Sequence, residues 1–310
     1  MNTPVATPSP TAPRRVLLLL AFAAVYLIWG STYLAVKYAI ATLPPLLMAG
    51  ARFLLAGLVM SAIGRASADY EPPTGAQWRT SFVVGALLLV GGNGGVVLAE
   101  RYIPSSLAAL LVAVEPFWIV LLSWLWLRQP RPSGKVLLGL VLGFGGVYLL
   151  VGEQLGASSG LRQLLSAGAV IGAAFCWAAG SLYGLRAPSP RSAVQGAGMQ
   201  MLAGGVLLLV LGLLIGEGHE LHLGQVSRAS WLGFGYLVVF GSLVAFTAYS
   251  WLMKNAPAAR VATYAYVNPV VAVLLGWVML GEALTGQMLI GAVVIVGSVV
   301  LITSPSEKGS

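Results

Sequence analysis

The chain has 310 residues, of which 58% are hydrophobic and only 8% charged, with a formal net charge of +8. Soluble domains carry about 25% charged residues, so a water-facing fold of this composition would lack polar surface to cover itself, and the chain reads as a polytopic membrane protein partnered by the lipid bilayer. The basic excess sits at the edges of apolar segments, which assigns it to loops and excludes a nucleic-acid partner.

Enzyme and metal chemistry lack material. Cys176 is the only cysteine, and Asp69, His219 and His222 complete the Asp and His inventory, so neither a Ser-His-Asp set nor a buried multi-ligand metal site is available. His219 and His222 flank Glu220 in one loop, where ordinary solvated residues are the expected reading over a surface metal ion. GKV at 134–136 lacks the glycine pattern and the hydroxyl residue of a phosphate-binding loop. No enzyme activity, no cofactor and no ATP-driven step are expected.

In chain order, residues 1–15, MNTPVATPSPTAPRR, read as a disordered cytoplasmic tail, and the apolar run that follows is too long for a signal peptide. Segments long enough to cross the hydrocarbon core lie near 16–40, 44–64, 79–99, 104–127, 135–151, 164–186, 191–215, 230–252, 258–280 and 286–303. Helix is the expected state of each, because backbone polar groups in lipid must be satisfied within the segment. Residues 304–310 read as a second cytoplasmic tail.

An internal duplication organises these segments. An offset of 153 residues superposes Trp78 on Trp231, Arg101 on Lys254, Pro104 on Pro257, Pro116 on Pro269 and Trp124 on Trp277, while an offset of 148 puts Trp29 on Trp177. Two five-helix repeats, 16–151 and 164–303, follow. Five is odd, so if every helix spans, the second copy inserts upside down, a recurrent plan of secondary transporters. With the N-terminus inside, cytoplasmic loops collect twelve Lys and Arg residues, from Arg14 to Lys308, against four outside, Lys37, Arg101, Arg162 and Arg228. That bias places both termini in the cytoplasm. The expected fold class is therefore an all-α integral membrane protein with ten transmembrane helices, built as two inverted repeats around a central cavity.

Within the spans, Glu115 is the only carboxylate placed deep in the bilayer, where a charge costs on the order of 3 kcal/mol and needs a cavity and a partner. Arg52 lies at comparable depth in the second helix, and a pair between Arg52 and Glu115 is expected from depth alone, as a site or as a structural lock. Pro116 and Pro269, the latter after Asn268, are expected helix breaks that free carbonyls near midplane. The stretch Gly91, Gly92, Asn93, Gly94 and Gly95 reads first as close packing, with Asn93 as an alternative cavity residue. Trp29 and Trp177 lie too deep for a headgroup belt, so with Tyr33 and Tyr264 they are expected to line the cavity or pack beside it. Gly139 and Gly143, and Gly168 and Gly172, have GxxxG spacing, a weak packing signal.

LIWGSTYLAVKYAI at 27–40, ARFLLAG at 51–57, VEPFWIVLLSWLWL at 114–127 and VNPVVAVLLGWVMLGEALTG at 267–286 resemble the drug/metabolite transporter superfamily, and more narrowly its ten-helix EamA-type exporters. The resemblance runs from about 20 to 303. It implies two EamA-like bundles around a central cavity and export of small metabolites, commonly amino acids, across the bacterial inner membrane. The family's GE after the fourth helix is present as Gly281 and Glu282, but the first half has Arg128 and Gln129.

The expected function is amino-acid or small-metabolite export by alternating access, with Trp29, Tyr33, Asn93, Glu115, Trp177, Tyr264 and Asn268 binding the substrate. Glu115 would orient the site or carry a proton, and passive exchange fits equally. Efflux of cationic drugs is the alternative, and a channel is disfavoured because no continuous polar stripe is present. A small-molecule substrate is the implied partner, and a monomer is compatible with every feature.

Overall fold

A computed structural model describes residues 12–67, 70–103, 105–151, 160–280 and 285–303, and every regular element among them is helical. The tails at 1–11 and 304–310, with Asp69, Pro104, Gly281 and Glu282, lie outside the described residues. Eight described helices are long and apolar enough to cross a membrane. They are α1 (Ala12–Ala39), α2 (Pro45–Ala66), α3 (Gly75–Ala99), α4 (Leu107–Leu125), α6 (Leu161–Arg186), α7 (Ala193–Leu214), α8 (Arg228–Asn255) and α9 (Ala258–Leu275). Between and after them, α5 (Gly134–Val151) and α10 (Gly286–Thr303) carry shorter apolar stretches, Gly134–Leu149 and Leu289–Ile302. At 1.5 Å per residue each covers less than the roughly 30 Å hydrocarbon core. These are the fifth segment of each half.

Packing follows the duplication. Helix α2 packs along α7 and α5 along α10, so equivalent helices of the two halves meet. Helix α1 contacts α8 and α9, and its counterpart α6 contacts α3 and α4. The α2–α7 contact is made by small residues that bring backbones together, as lipid, itself apolar, offers no hydrophobic drive between helices. A Cβ on Gly205 would stand 2.7 Å from the amide nitrogen of Leu54, and one on Gly57 2.8 Å from that of Leu202. Of the two GxxxG spacings only the first packs a neighbour, with Gly139 against Ile302 and Gly143 against Tyr266, whereas nothing lies within 4 Å of Gly168 or Gly172.

The ends of the bundle are fixed by polar contacts. The buried Glu217 carboxylate accepts from the free backbone N–H groups of Leu46 and Leu47 at the start of α2, at 3.2 and 2.9 Å, where the unpaired donors favour negative charge. Arg101 pairs with Glu220 at 2.6 Å, just beyond the C-terminal end of α7, while Lys254 donates to the Pro190 carbonyl at 2.7 Å, just before its N-terminal end. The repeat partners Arg101 and Lys254 therefore lie at opposite ends of a helix about 33 Å long.

Two local features depart from regular α-helix, and both recur in each half. Helices α3 and α8 each contain a wide π-helical stretch, Gly85–Gly94 and Leu237–Phe246, in nearly the same repeat position. Such stretches are rare and concentrate at functional sites. The expected proline breaks are realised differently in the two halves. Helix α4 is interrupted at Ala113 and Val114, so that Pro116 sits in the first turn of the segment Glu115–Leu125, where a missing N–H costs nothing. In α9 the interruption falls earlier, at Ala262 and Thr263, and Pro269 lies inside the continuous helix Tyr264–Leu280. Pro269 is thus not itself a break, because the chain turns one helical turn before its equivalent position.

Candidate functional site

Helices from both halves converge on one cavity, with about 720 Å³ of space between atoms when its open mouth is included. Helix α1 supplies Trp29 and Tyr33, α2 Arg52, α3 Asn93 and, as its C-cap, Glu100, α4 Glu115, α6 Trp177, and α9 Tyr264 and Asn268. All seven expected site residues, with Arg52, line this single cavity. The interruptions explain the approach of α4 and α9. Glu115 opens the second segment of α4, and Tyr264 begins the helix after the turn in α9, so both side chains project from helix starts into the same space. The glycines of α3 let it close on α6, since a Cβ on Gly92 would stand 2.8 Å from the Trp177 ring and one on Gly91 2.9 Å from Cys176 Cβ. Packing and cavity readings of that stretch thus hold together: the glycines pack and Asn93 faces inward.

The polar lining is buried and incompletely answered. Tyr264 donates its hydroxyl to Glu115 Oε2, while Glu115 Oε1 has no partner. Arg52 donates through Nε to Ser242 Oγ at 2.8 Å and rests its guanidinium 4.6 Å from the Phe53 ring, leaving Nη1 without a partner. Gly241 makes room for that guanidinium, for a Cβ there would stand 2.9 Å from Arg52 Nη2. The expected Arg52–Glu115 pair is not made, because Ser242 and Tyr264 hold the two side chains apart. The hydrogen-bond network assigns the Asn268 amide nitrogen to the main-chain oxygens of Tyr264 and Tyr26, at 3.0 and 3.3 Å. Asn93 Oδ1 is unpartnered.

Glu100, which sequence reasoning passed over, lines the cavity and is fully buried, with neither carboxylate oxygen hydrogen-bonded. It stands at a helix end, where a carboxylate normally meets water, so hydropathy gave no sign of its burial. Its burial is tertiary: Lys37 of α1 donates to the main-chain oxygens of Glu100 and Ile103, at 2.7 and 3.4 Å, a contact between distant segments that the sequence does not signal. Unmatched buried polar groups cost about 1–3 kcal/mol each and more when charged. Here all of those found among the described residues except Trp118 Nε1 belong to residues lining one cavity, as expected of a site that a ligand completes.

Aromatic rings floor the cavity. Trp29 stacks edge to face on Trp177 and Tyr264, with centroids 5.4 and 4.9 Å apart, and donates through Nε1 to the Gly241 carbonyl at 3.1 Å. Trp177 donates to the Tyr249 hydroxyl at 3.1 Å, which also bonds Ser181. Beyond Tyr249 lies a second, smaller opening, about 490 Å³ by the same measure, lined by Leu88, Ser181, Gln200, Met253 and Lys254. The floor therefore separates two vestibules. Among the described residues no group of three or more His, Cys, Asp or Glu is placed to hold a metal ion, and Glu220 beside the two histidines is engaged by Arg101.

Comparison with known proteins agrees with this architecture. The chain is 38% identical over 282 residues to the inner membrane transporter YedA of Escherichia coli K12, covering 90% of this chain and 88% of that protein. It is 28% identical over 282 residues to a probable amino-acid metabolite efflux pump of Salmonella typhimurium, covering 87% and 89%. A crystal structure with 24% identity superposes with a TM-score of 0.74 over 93% of this chain and 96% of that one, which shows a shared fold. The model of the EamA-like transporter family matches twice, at residues 16–152 and 164–304, one match for each half. The chain belongs to the EamA-like transporter family and is a membrane transporter.

Proposed function

We propose that the chain exports small zwitterionic metabolites, amino acids first among them, by alternating access, and that the residues lining the cavity bind them. One observation carries the substrate class: Arg52 Nη1 and Glu115 Oε1 are buried in the same cavity and neither has a partner. A substrate with one carboxylate and one ammonium answers both, and removes the cost of two unmatched charges. Trp29, Tyr33, Trp177 and Tyr264 supply apolar and ring contact, and Asn93 and Asn268 supply polar contact. The printed name of the Salmonella relative supports the same substrate class. Nothing in this reading requires a coupled proton, and a monomer suffices.

Ten spans with the second copy inverted, and both termini in the cytoplasm, complete the proposal. The positions of Arg101 and Lys254 at opposite ends of α7 support the inversion, and the distribution of basic residues supports the orientation. Alternation would open the aromatic floor toward the second vestibule while the mouth beside Glu100 closes.

Efflux of permanent cations is the second reading, favoured by a Glu115 that faces the cavity unpaired with Arg52. The free guanidinium counts against it, since a cation would share the cavity with a like charge. Uptake of labelled norleucine and of ethidium by proteoliposomes holding the full chain separates the two. Norleucine flux abolished by Arg52→Met supports the zwitterion, whereas ethidium flux indifferent to Arg52→Met, with no norleucine flux, sinks it.

A further inference from the structure

The unmatched groups of the cavity are unbalanced. Among the fully buried side-chain atoms of its described lining residues, the acceptors without a partner are Asn93 Oδ1, Glu115 Oε1 and both oxygens of Glu100, against a single such donor, Arg52 Nη1. A zwitterion with one ammonium answers Arg52 with its carboxylate, and Glu115 and Asn93 with its three N–H donors, but leaves Glu100 with nothing. The ionisable lining side chains tell the same story, two carboxylates against one guanidinium.

We propose that Glu100 is a subsite for a second ammonium group, so that the substrates best matched to this cavity are amino acids with an amino group on the side chain, such as lysine and ornithine. The inference rests on the zwitterion reading and narrows it. Glu100 caps the C-terminal end of α3, seven residues beyond Asn93 and so about 10 Å farther along the helix direction, and Tyr33, Glu100 and Glu115 line the same cavity. That separation suits two amino groups joined by a short methylene chain better than one ammonium touching both carboxylates. The chain gives the Glu100 carboxylate no hydrogen bond: the Lys37 ammonium is near enough to attract it, but spends its hydrogen bonds on main-chain oxygens, and among the described residues no ion pair joins the two side chains. A site built to pair a polar group rejects the analogue lacking it, because its own buried atoms then stay unmatched.

Lysine and norleucine have the same carbon chain and differ by an ammonium in place of one hydrogen on the terminal carbon, and they make the test. Proteoliposomes containing the full chain are loaded with unlabelled lysine and norleucine, and entry of each labelled amino acid is measured. The expected result is at least a tenfold preference for lysine, reduced at least tenfold by Glu100→Gln and partly kept by Glu100→Asp. Wild-type protein that moves norleucine as fast as lysine overturns the inference while leaving the zwitterion reading intact. A preference that survives Glu100→Gln unchanged also overturns it. Flux of neither amino acid removes both readings together.

Discussion

The two halves share a scaffold and differ in chemistry. At the offset of 148 that aligns Trp29 with Trp177, Arg52 corresponds to Gln200; at 153, Asn93, Glu100 and Glu115 correspond to Phe246, Met253 and Asn268. Every charged group of the cavity comes from the first copy. The mechanical parts are doubled: a π-helical stretch in α3 and α8, an interrupted helix in α4 and α9, and a deep tryptophan in α1 and α6. The second vestibule, lined by Gln200, Met253 and Lys254, has no carboxylate among its described lining residues. Under the proposed alternating access, rocking needs matched helices, whereas the proposed recognition needs only one set of charges placed at the convergence.

The sharpest way to break the comparison is to remove a charge from the first copy. Glu115→Gln keeps a partner for Tyr264 but loses the anion, and is expected to lower amino-acid flux in proteoliposomes about 100-fold, the effect of losing a charge-assisted buried contact. The mirrored substitution Asn268→Ala, which removes a neutral amide bonded to main chain, should cost about tenfold. Equal losses would mean that recognition is shared between the halves.

Next comes the shared scaffold. Gly205→Ala drives a methyl group into the α2 backbone and is expected to destabilise by about 1–3 kcal/mol, seen as a lower melting temperature of the purified protein. Gly145→Ala, with nothing within 4 Å, should leave the melting temperature unchanged or slightly raised. A smaller effect is expected at the floor. Tyr249→Phe removes the hydroxyl bonded to Trp177 and Ser181, and should change flux by about threefold, at a cost of about 1 kcal/mol in net hydrogen bonding; no change would show that the floor is held by ring packing alone.

The smallest effect tests a scar of the duplication. Arg128 adopts φ 52°, the only positive φ at a non-glycine among the described residues, at the position where the second copy has Gly281. The left-handed conformation costs a residue with a Cβ about 1 kcal/mol. Arg128→Gly is therefore expected to raise stability by up to that amount in thermal unfolding, with flux preserved.

The sequence by itself determined that the chain lives in lipid, is helical, is doubled, and holds Glu115, Trp29 and Trp177 well inside its apolar runs, because hydropathy, span length and repeat offset are one-dimensional properties set by the solvent. It also named seven lining residues, since a polar or bulky group in the middle of an apolar run has few places to go. Only the tertiary structure decided who meets whom. Depth read from a sequence gives an expected position along the bilayer normal but no direction in its plane, so the Arg52–Glu115 pair expected from depth is not made and the two side chains turn to Ser242 and Tyr264. Glu100 was hidden because a helix end is wet or dry according to its neighbours, and Lys37 of another helix closes over it. The interruption in α9 likewise fell nearly two turns before the proline, one turn earlier than the equivalent interruption in α4, for a missing N–H permits a break without fixing where the chain bends.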